Sequence, residues 1–394
     1  MKALLSKPLH LLTVALLAAQ IIGCNSSSRT AELPVRQSVA ERLQVALDQA
    51  VADGLPAVAV SVKGDNLDFN GVAGVEALES MVPLSANHRF YLASVGKTYT
   101  AVAIVKMAAD GLLGLDDPIT RWLPRSIADG IPSSDRITVR HLLNHTSGIF
   151  DYQDDSTDWL FNAFLPDPNR HWSNVDVLPY FLGRPLHFEP GTSARYADSN
   201  YVLLGLIAEA ASGLPVQDIV RNYALAPLGL QDTLHGYEAN GVPNLAHGYV
   251  ELEGSLLDVY PWYSHYGVSD GGIQASAADV ASFVHAIFTS ESVLTNAMRA
   301  ELVTPSGAGD PPSATALGVD VANVSTPTVS IYWNAGQDAG TRTEFHHLQS
   351  SGNDLTIVFC ASASLGDYED LFQRLKLSVQ DILLDVDLLQ VSLP

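Results

Sequence analysis

Lysine is the scarcest feature of this chain. Only six occur in 394 residues, and two of them, Lys2 and Lys7, stand within the first seven positions. All bases together number 21 against 43 acids, a net charge of −22 at pH 7. Such a chain repels a phosphate backbone instead of neutralising it, so nucleic acid is not an expected partner. Cysteine is nearly absent, with Cys24 and Cys360 alone. Charged residues reach only 16%, while hydrophobic residues make up 47% and aromatics 8%. That balance excludes disorder and a coiled coil and leaves a globular protein with a sizeable core. At roughly 100–200 residues per domain, the length permits one large domain or two to three ordinary ones. Beyond the N-terminus no stretch is long and apolar enough to span a bilayer.

The N-terminus is different. Lys2 and Lys7 precede an apolar stretch from Leu11 to Ile22, too short for a membrane span and patterned as a signal peptide over 1–24. It ends in Ile21-Ile22-Gly23-Cys24, which resembles a bacterial lipobox with Cys24 as the lipidated residue; ordinary cleavage near Gly23 is the alternative. Residues 25–37 read as a tether. The expected location is outside the cytoplasm, in the periplasm or cell envelope, with membrane contact only through an N-terminal lipid anchor. Cys360 lies in the apolar run Leu355–Ala361 and reads as a buried strand thiol. With Cys24 lipidated it has no intrachain partner.

Periodicity organises the rest. Helical spacing marks Val39–Ala52, Ser199–Ala211, Val216–Ala224, Ala277–Phe288 and Tyr368–Leu384, and a short helix is expected at Val139–Leu143. Val95–Leu112 is apolar on nearly all sides, as in a buried helix. Strands are expected at Ala57–Val62 and Leu67–Val75, joined at Gly64-Asp65-Asn66, and at Thr315–Val321, Val329–Trp333, Thr341–Leu348 and Leu355–Ala361. Strands at both ends with helices between them predict an α+β, three-layer α/β/α architecture. One antiparallel sheet would form from both termini and be flanked by helices. The α/β lobe would take about 38–93 and 270–390, and a mostly helical inserted lobe about 94–269.

Ser94 and Lys97 stand three apart where the buried helix begins, so the amine can reach the hydroxyl. A lone Ser-x-x-Lys is a weak signal. It gains weight because lysine is rare here and this one sits in the apolar segment Tyr91–Ala109. The surrounding Phe90-Tyr91-Leu92-Ala93-Ser94-Val95-Gly96-Lys97-Thr98 resembles the nucleophile segment of the serine β-lactamase and penicillin-binding-protein superfamily. Within it, the similarity is to the branch of class C β-lactamases, D-alanyl-D-alanine carboxypeptidases, D-aminopeptidases and related esterases. Further segments follow in family order: Ile137–Gly148, Pro190-Gly191-Thr192, Tyr196-Ala197-Asp198, Asn200–Gly205, Pro227–Leu230 and Gly271–Asp279. The resemblance covers about residues 40 to 380.

It implies the β-lactamase/transpeptidase-like fold and an acyl-enzyme mechanism on a small-molecule or peptide acyl substrate. Ser94 would attack the carbonyl, with Lys97 and Tyr196 sharing the proton traffic and Tyr196 serving as base. The backbone N–H groups of Ser94 and Gln337 would form the oxyanion hole. Neither a metal nor an organic cofactor is implied. Two motifs depart from the family. Its Tyr-x-Asn is here Tyr196-Ala197-Asp198, and an ionised aspartate accepts where an asparagine can donate. Its Lys-Thr-Gly or His-x-Gly is best matched by Asn334-Ala335-Gly336, with a register through Trp333 as the alternative. Either register removes the base that grips a substrate carboxylate, unless Arg342 supplies it. The favoured function is therefore an exported serine hydrolase of esterase type. A β-lactamase or D-alanyl-D-alanine carboxypeptidase/D-aminopeptidase is one alternative. A non-catalytic relative that binds peptidoglycan or a partner is the other.

Three competing signals are weaker. Gly267-Val268-Ser269-Asp270-Gly271 matches a nucleophile elbow but lacks an apolar strand before it. His141 and His145 have zinc-ligand spacing without the glutamate that goes with it, and read as structural histidines bonded to backbone. His346 and His347 alternate across a strand, so at most one could face the site. The aromatics Trp159, Phe161, Trp172, Tyr180, Trp262 and Tyr263 fit either an acyl pocket or the core. The acidic surplus is expected to be a solvated surface.

Overall fold

A computed structural model describes residues 37–236, 244–252, 254–309, 314–325, 328–350, 353–389 and 391–394. The expected signal segment, Cys24 and the tether through residue 36 lie outside the described residues. The longer helices are α1 (Val39–Ala52), α2 (Gly96–Ala109), α3 (Asp198–Ser212), α4 (Ala277–Thr289) and α5 (Asp367–Asp385). The large sheet is built from β1 (Ala57–Gly64), β2 (Leu67–Gly74), β3 (Asp320–Ser325), β4 (Thr328–Asp338), β5 (Thr341–Ser350) and β6 (Asn353–Ala361).

The strand order is β2-β1-β6-β5-β4-β3, antiparallel throughout. The N-terminal hairpin thus docks on the last strand, with Val60 opposite Phe359. Side-chain alternation then gives the sheet two apolar faces. Val58, Val60 and Val62 of β1 and Ile357 and Phe359 of β6 meet α1 and α5 through Leu43, Leu47, Phe372, Val379 and Leu383. Ala57, Ala59, Val358 and Cys360 face the other way, into the core that holds α4 and most of the helical region. This is the three-layer α/β/α arrangement expected from the sequence. Cys360 is a buried free thiol.

Helix α1 is capped by Ser38, whose side chain accepts from the Glu41 N–H while Glu41 reaches back to the Ser38 N–H. Helix α2 is buried nearly all round, as its composition predicts. A 3-10 turn at Ala93–Val95 leads into it, and it ends at Ala109. After Val220 the helix expected to reach Ala224 widens into a π-helical turn, Arg221–Leu225.

The strand expected at Thr315–Val321 is misplaced. Gly318 has φ 78°, and its carbonyl accepts from Thr98 Oγ1 at 2.8 Å, so 315–319 turns against α2 and pairing begins only at Asp320. Short non-local strands were not anticipated. Phe90–Tyr91, Ile273–Ala275 and Thr233–His235 form a three-stranded sheet beside the nucleophile segment, and Tyr249–Leu252 pairs with Ser255–Asp258. Among the described residues no single helix is long and apolar enough to cross a membrane.

Candidate active site

Ser94 sits where three pieces of structure converge. The Leu92 N–H donates to the Ile273 carbonyl at 2.9 Å, pinning the segment to the small sheet. The next residue, Ala93, has φ 48°, a left-handed conformation that an alanine adopts only under constraint. It turns the chain sharply into α2 and presents Ser94, half-buried, at the helix start. From the far side β4 closes in at Gly336. A Cβ there would lie 2.2 Å from the Leu92 carbonyl oxygen and 2.9 Å from the Ser94 nitrogen, so only glycine lets the strand approach the Ser94 backbone.

Around Ser94 the polar atoms form one connected set. Ser94 Oγ lies 2.5 Å from the Tyr196 hydroxyl. Lys97 Nζ donates to Ser94 Oγ at 3.0 Å, to Asp198 Oδ1 at 2.5 Å and to the Asp270 carbonyl at 2.6 Å. Lys97 is 2% exposed, and burial alone would push its proton off. The charges of Asp198 and Asp270 outweigh that and hold the amine above the ordinary lysine range. It is an ammonium with all three protons engaged. Tyr196 donates to Asp198 Oδ1 at 3.1 Å. The residue is 43% exposed, but its hydroxyl bonds Ser94 and Asp198, and desolvation together with Asp198 holds it well above the usual phenol range.

His145 supports this set from behind. Its Nδ1 accepts from the Ala197 N–H at 3.2 Å, and its ring packs 4.6 Å from that of Tyr196. Burial, then the Lys97 charge, lower its pKa to about 3, so the ring is neutral and able to accept. His141 Nδ1 accepts from the Thr138 N–H in the cap of Val139–Leu143. Both histidines are bonded to backbone, as their spacing without a glutamate suggested.

The cleft over Ser94 has a volume of about 290 Å³ and is lined by Ser94, Lys97, Tyr196, Asp198, Ala335 and Gln337 together with Tyr91, Gln153, Asp154, Asp270, Gly271 and Asp338. Four of these are carboxylates, and Lys97 is the one base among the described lining residues. Part of the acidic surplus therefore lies in the cleft, where a purely solvated surface was expected. Burial and neighbouring aspartates raise Asp270 to about 6 and Asp338 to about 7.

Not every candidate reaches the cleft. The Asn334 amide is spent on Thr98 Oγ1 at 3.0 Å and the Gly318 carbonyl at 3.2 Å, joining β4 to α2, and Asn334 lines a smaller neighbouring hollow. Arg342 does not supply a grip for a carboxylate. It is held by Glu344 at 2.5 Å and by Gln337 Oε1 at 2.6 Å. His346 bonds Glu344 and His347 bonds Thr356, both buried away from Ser94. Ser269 is 2% exposed and bonded to Asn174, and a helix, Tyr260–Tyr263, precedes it where an elbow needs a strand. None of the six singled-out aromatics lines the cleft; Trp159 and Trp172 pack 5.7 Å apart in the core. Sequence reasoning missed Gln153, Asp154, Asp270 and Asp338. Only the proximity of Asp270 to Gly271-Gly272 marked any of them.

Comparison with known proteins agrees with this geometry. The chain is 29% identical over 248 residues to penicillin-binding protein 4* of Bacillus subtilis, covering 59% of this chain and 52% of that protein. It is 32% identical over 203 residues to esterase EstB of Burkholderia gladioli, covering 50% of this chain and 51% of that one. The chain thus spans about half the length of these curated relatives. Two solved structures superpose over 85% of it. A D-stereospecific amidohydrolase from Streptomyces sp. gives a TM-score of 0.70 at 25% identity, with 97% of that chain covered. A penicillin-binding protein from Bacillus halodurans gives 0.71 at 26% identity, with 98% covered. The family profile described as Beta-lactamase matches residues 40–369, and the chain belongs to that family.

Proposed function

We propose that this protein is a serine hydrolase that forms an acyl-enzyme on Ser94 and acts on esters or amides lacking a carboxylate, with esters preferred. One observation carries the reading: Ser94 Oγ is held between Tyr196 at 2.5 Å and an ammonium at 3.0 Å, at the floor of a cleft. Tyr196 takes the serine proton as Oγ attacks the carbonyl. The N–H groups of Ser94 and Gln337 receive the oxyanion at the close approach of β4. Water then repeats the attack on the acyl-enzyme.

The choice of substrate rests on charge. A β-lactam or a terminal D-alanine brings a carboxylate, and here it would meet Asp154 and Asp270, joined by Asp338 as that group ionises above about pH 7, while Lys97 is already engaged by Asp198. Neutral acyl groups avoid this repulsion, and so do those carrying an ammonium, which makes an amino-acid amide the second reading. Purified protein should hydrolyse p-nitrophenyl butyrate and leave nitrocefin nearly untouched, and Ser94→Ala should abolish turnover. Nitrocefin turnover rivalling the ester would contradict the charge argument, and no Ser94-dependent turnover would favour a binding role instead. The N-terminal pattern supports export and lipidation at Cys24. Cys24→Ser should stop incorporation of labelled palmitate in a bacterial host; unchanged incorporation would refute the anchor.

A further inference from the structure

Resting on that hydrolase reading, we infer that Asp198 is the final proton acceptor of the reaction, reached from Ser94 through the Tyr196 hydroxyl. One donor arrangement places a proton in every contact. Lys97 spends its three protons on Ser94 Oγ, Asp198 Oδ1 and the Asp270 carbonyl, so it accepts nothing. Tyr196 has a single proton, and it points to Asp198 Oδ1 at 3.1 Å. The 2.5 Å contact between Ser94 and Tyr196 therefore carries the serine's own proton, donated to the phenol oxygen. The chain runs Ser94 O–H to Tyr196 O–H to Asp198 carboxylate, and each link already has hydrogen-bond geometry.

The charges balance at every step. As the Ser94 Oγ–H bond breaks and the Oγ–carbon bond forms, the serine proton moves to Tyr196 Oη and the tyrosine proton moves to Asp198 Oδ1. Tyr196 stays neutral throughout, which suits a hydroxyl whose surroundings resist a phenolate. Asp198 becomes a neutral carboxylic acid while the carbonyl oxygen becomes an oxyanion. Neutralising Asp198 removes the counter-ion of Lys97, so its positive charge is turned toward the oxyanion growing beside Ser94. When the carbon–leaving-group bond breaks, the proton returns by the same path to the leaving oxygen or nitrogen. An asparagine at this position could accept a hydrogen bond but could not take the proton.

The test is a proton inventory on kcat/KM for p-nitrophenyl butyrate, measured in mixtures of light and heavy water, with Ser94→Ala as control. Two protons in flight give a bowed plot for the wild type. Asp198→Asn should lower kcat/KM by about 100-fold and give a straight plot. A straight wild-type plot, or an Asp198→Asn enzyme with wild-type activity and a bowed plot, would overturn the relay while leaving the hydrolase intact. Absence of Ser94-dependent turnover would overturn both. The wild-type plot decides the matter even if the variant folds poorly.

Discussion

At the scale of single residues, the candidate site is defined by a few side chains fixed in one protonation state. Lys97 is an ammonium because Asp198 and Asp270 outweigh its burial, and His145 is neutral because burial and that ammonium both oppose a second charge. His145 touches no reacting atom, so its role is to position Tyr196 through the Ala197 N–H and ring contact. His145→Ala should lower kcat by about 10- to 100-fold with little change in KM. His145→Asn, which keeps an acceptor near the Nδ1 position, should recover most of the loss. Steady-state kinetics of both variants check this, and equal damage in the two would contradict a positioning role. Ser94 and Lys97 were legible in the sequence through the scarcity of lysine and the Ser-x-x-Lys spacing, and Tyr196 through the family resemblance of Tyr196-Ala197-Asp198. Asp154 and Asp338 were not, because an aspartate in an acid-rich chain carries no local mark of facing inward.

At the scale of elements, periodicity located those that bury a continuous stripe or face. The long helices and the central strands β1 and β6 appeared close to their expected limits. The three-stranded sheet around Phe90–Tyr91 did not, since strands of two or three residues show no period and their partners lie far apart in sequence. Thr315–Val321 failed for a related reason, its apolar residues being a turn clasped by Thr98 and closed by Gly318. The end of β4 gives a testable consequence. Asp338 titrates at about 7 when folded, against an ordinary aspartate value of 3.8, because burial and then Asp198 and Asp270 disfavour its charge. Its protonated form stabilises the fold at acid pH, and that stability is lost as pH rises from about 4 through 7. Asp338→Asn should therefore melt close to the wild type at pH 4.5 and at least about 2 °C above it at pH 8. A melting gap that does not widen with pH would contradict this account of the cleft.

At the scale of the whole molecule, chain termini and middle are interdependent. The N-terminal hairpin pairs with the last strand, the segment before Ser94 is pinned by Ile273–Ala275, which pairs in turn with Thr233–His235, and β4 returns late in the chain to close on Ser94. The net charge of −22 is continued into the cleft, where carboxylates surround the single lysine. The acidity of the cleft thus continues a property visible in composition, although only the fold shows that some of those acids line it. The central claim is that this scaffold activates Ser94 as a nucleophile. It is tested most directly by intact-protein mass spectrometry after exposure to a fluorophosphonate, with peptide mapping of the adduct. One adduct on Ser94, absent from Ser94→Ala, is the predicted result; an unmodified protein, or an adduct on another serine such as Ser269, would contradict it.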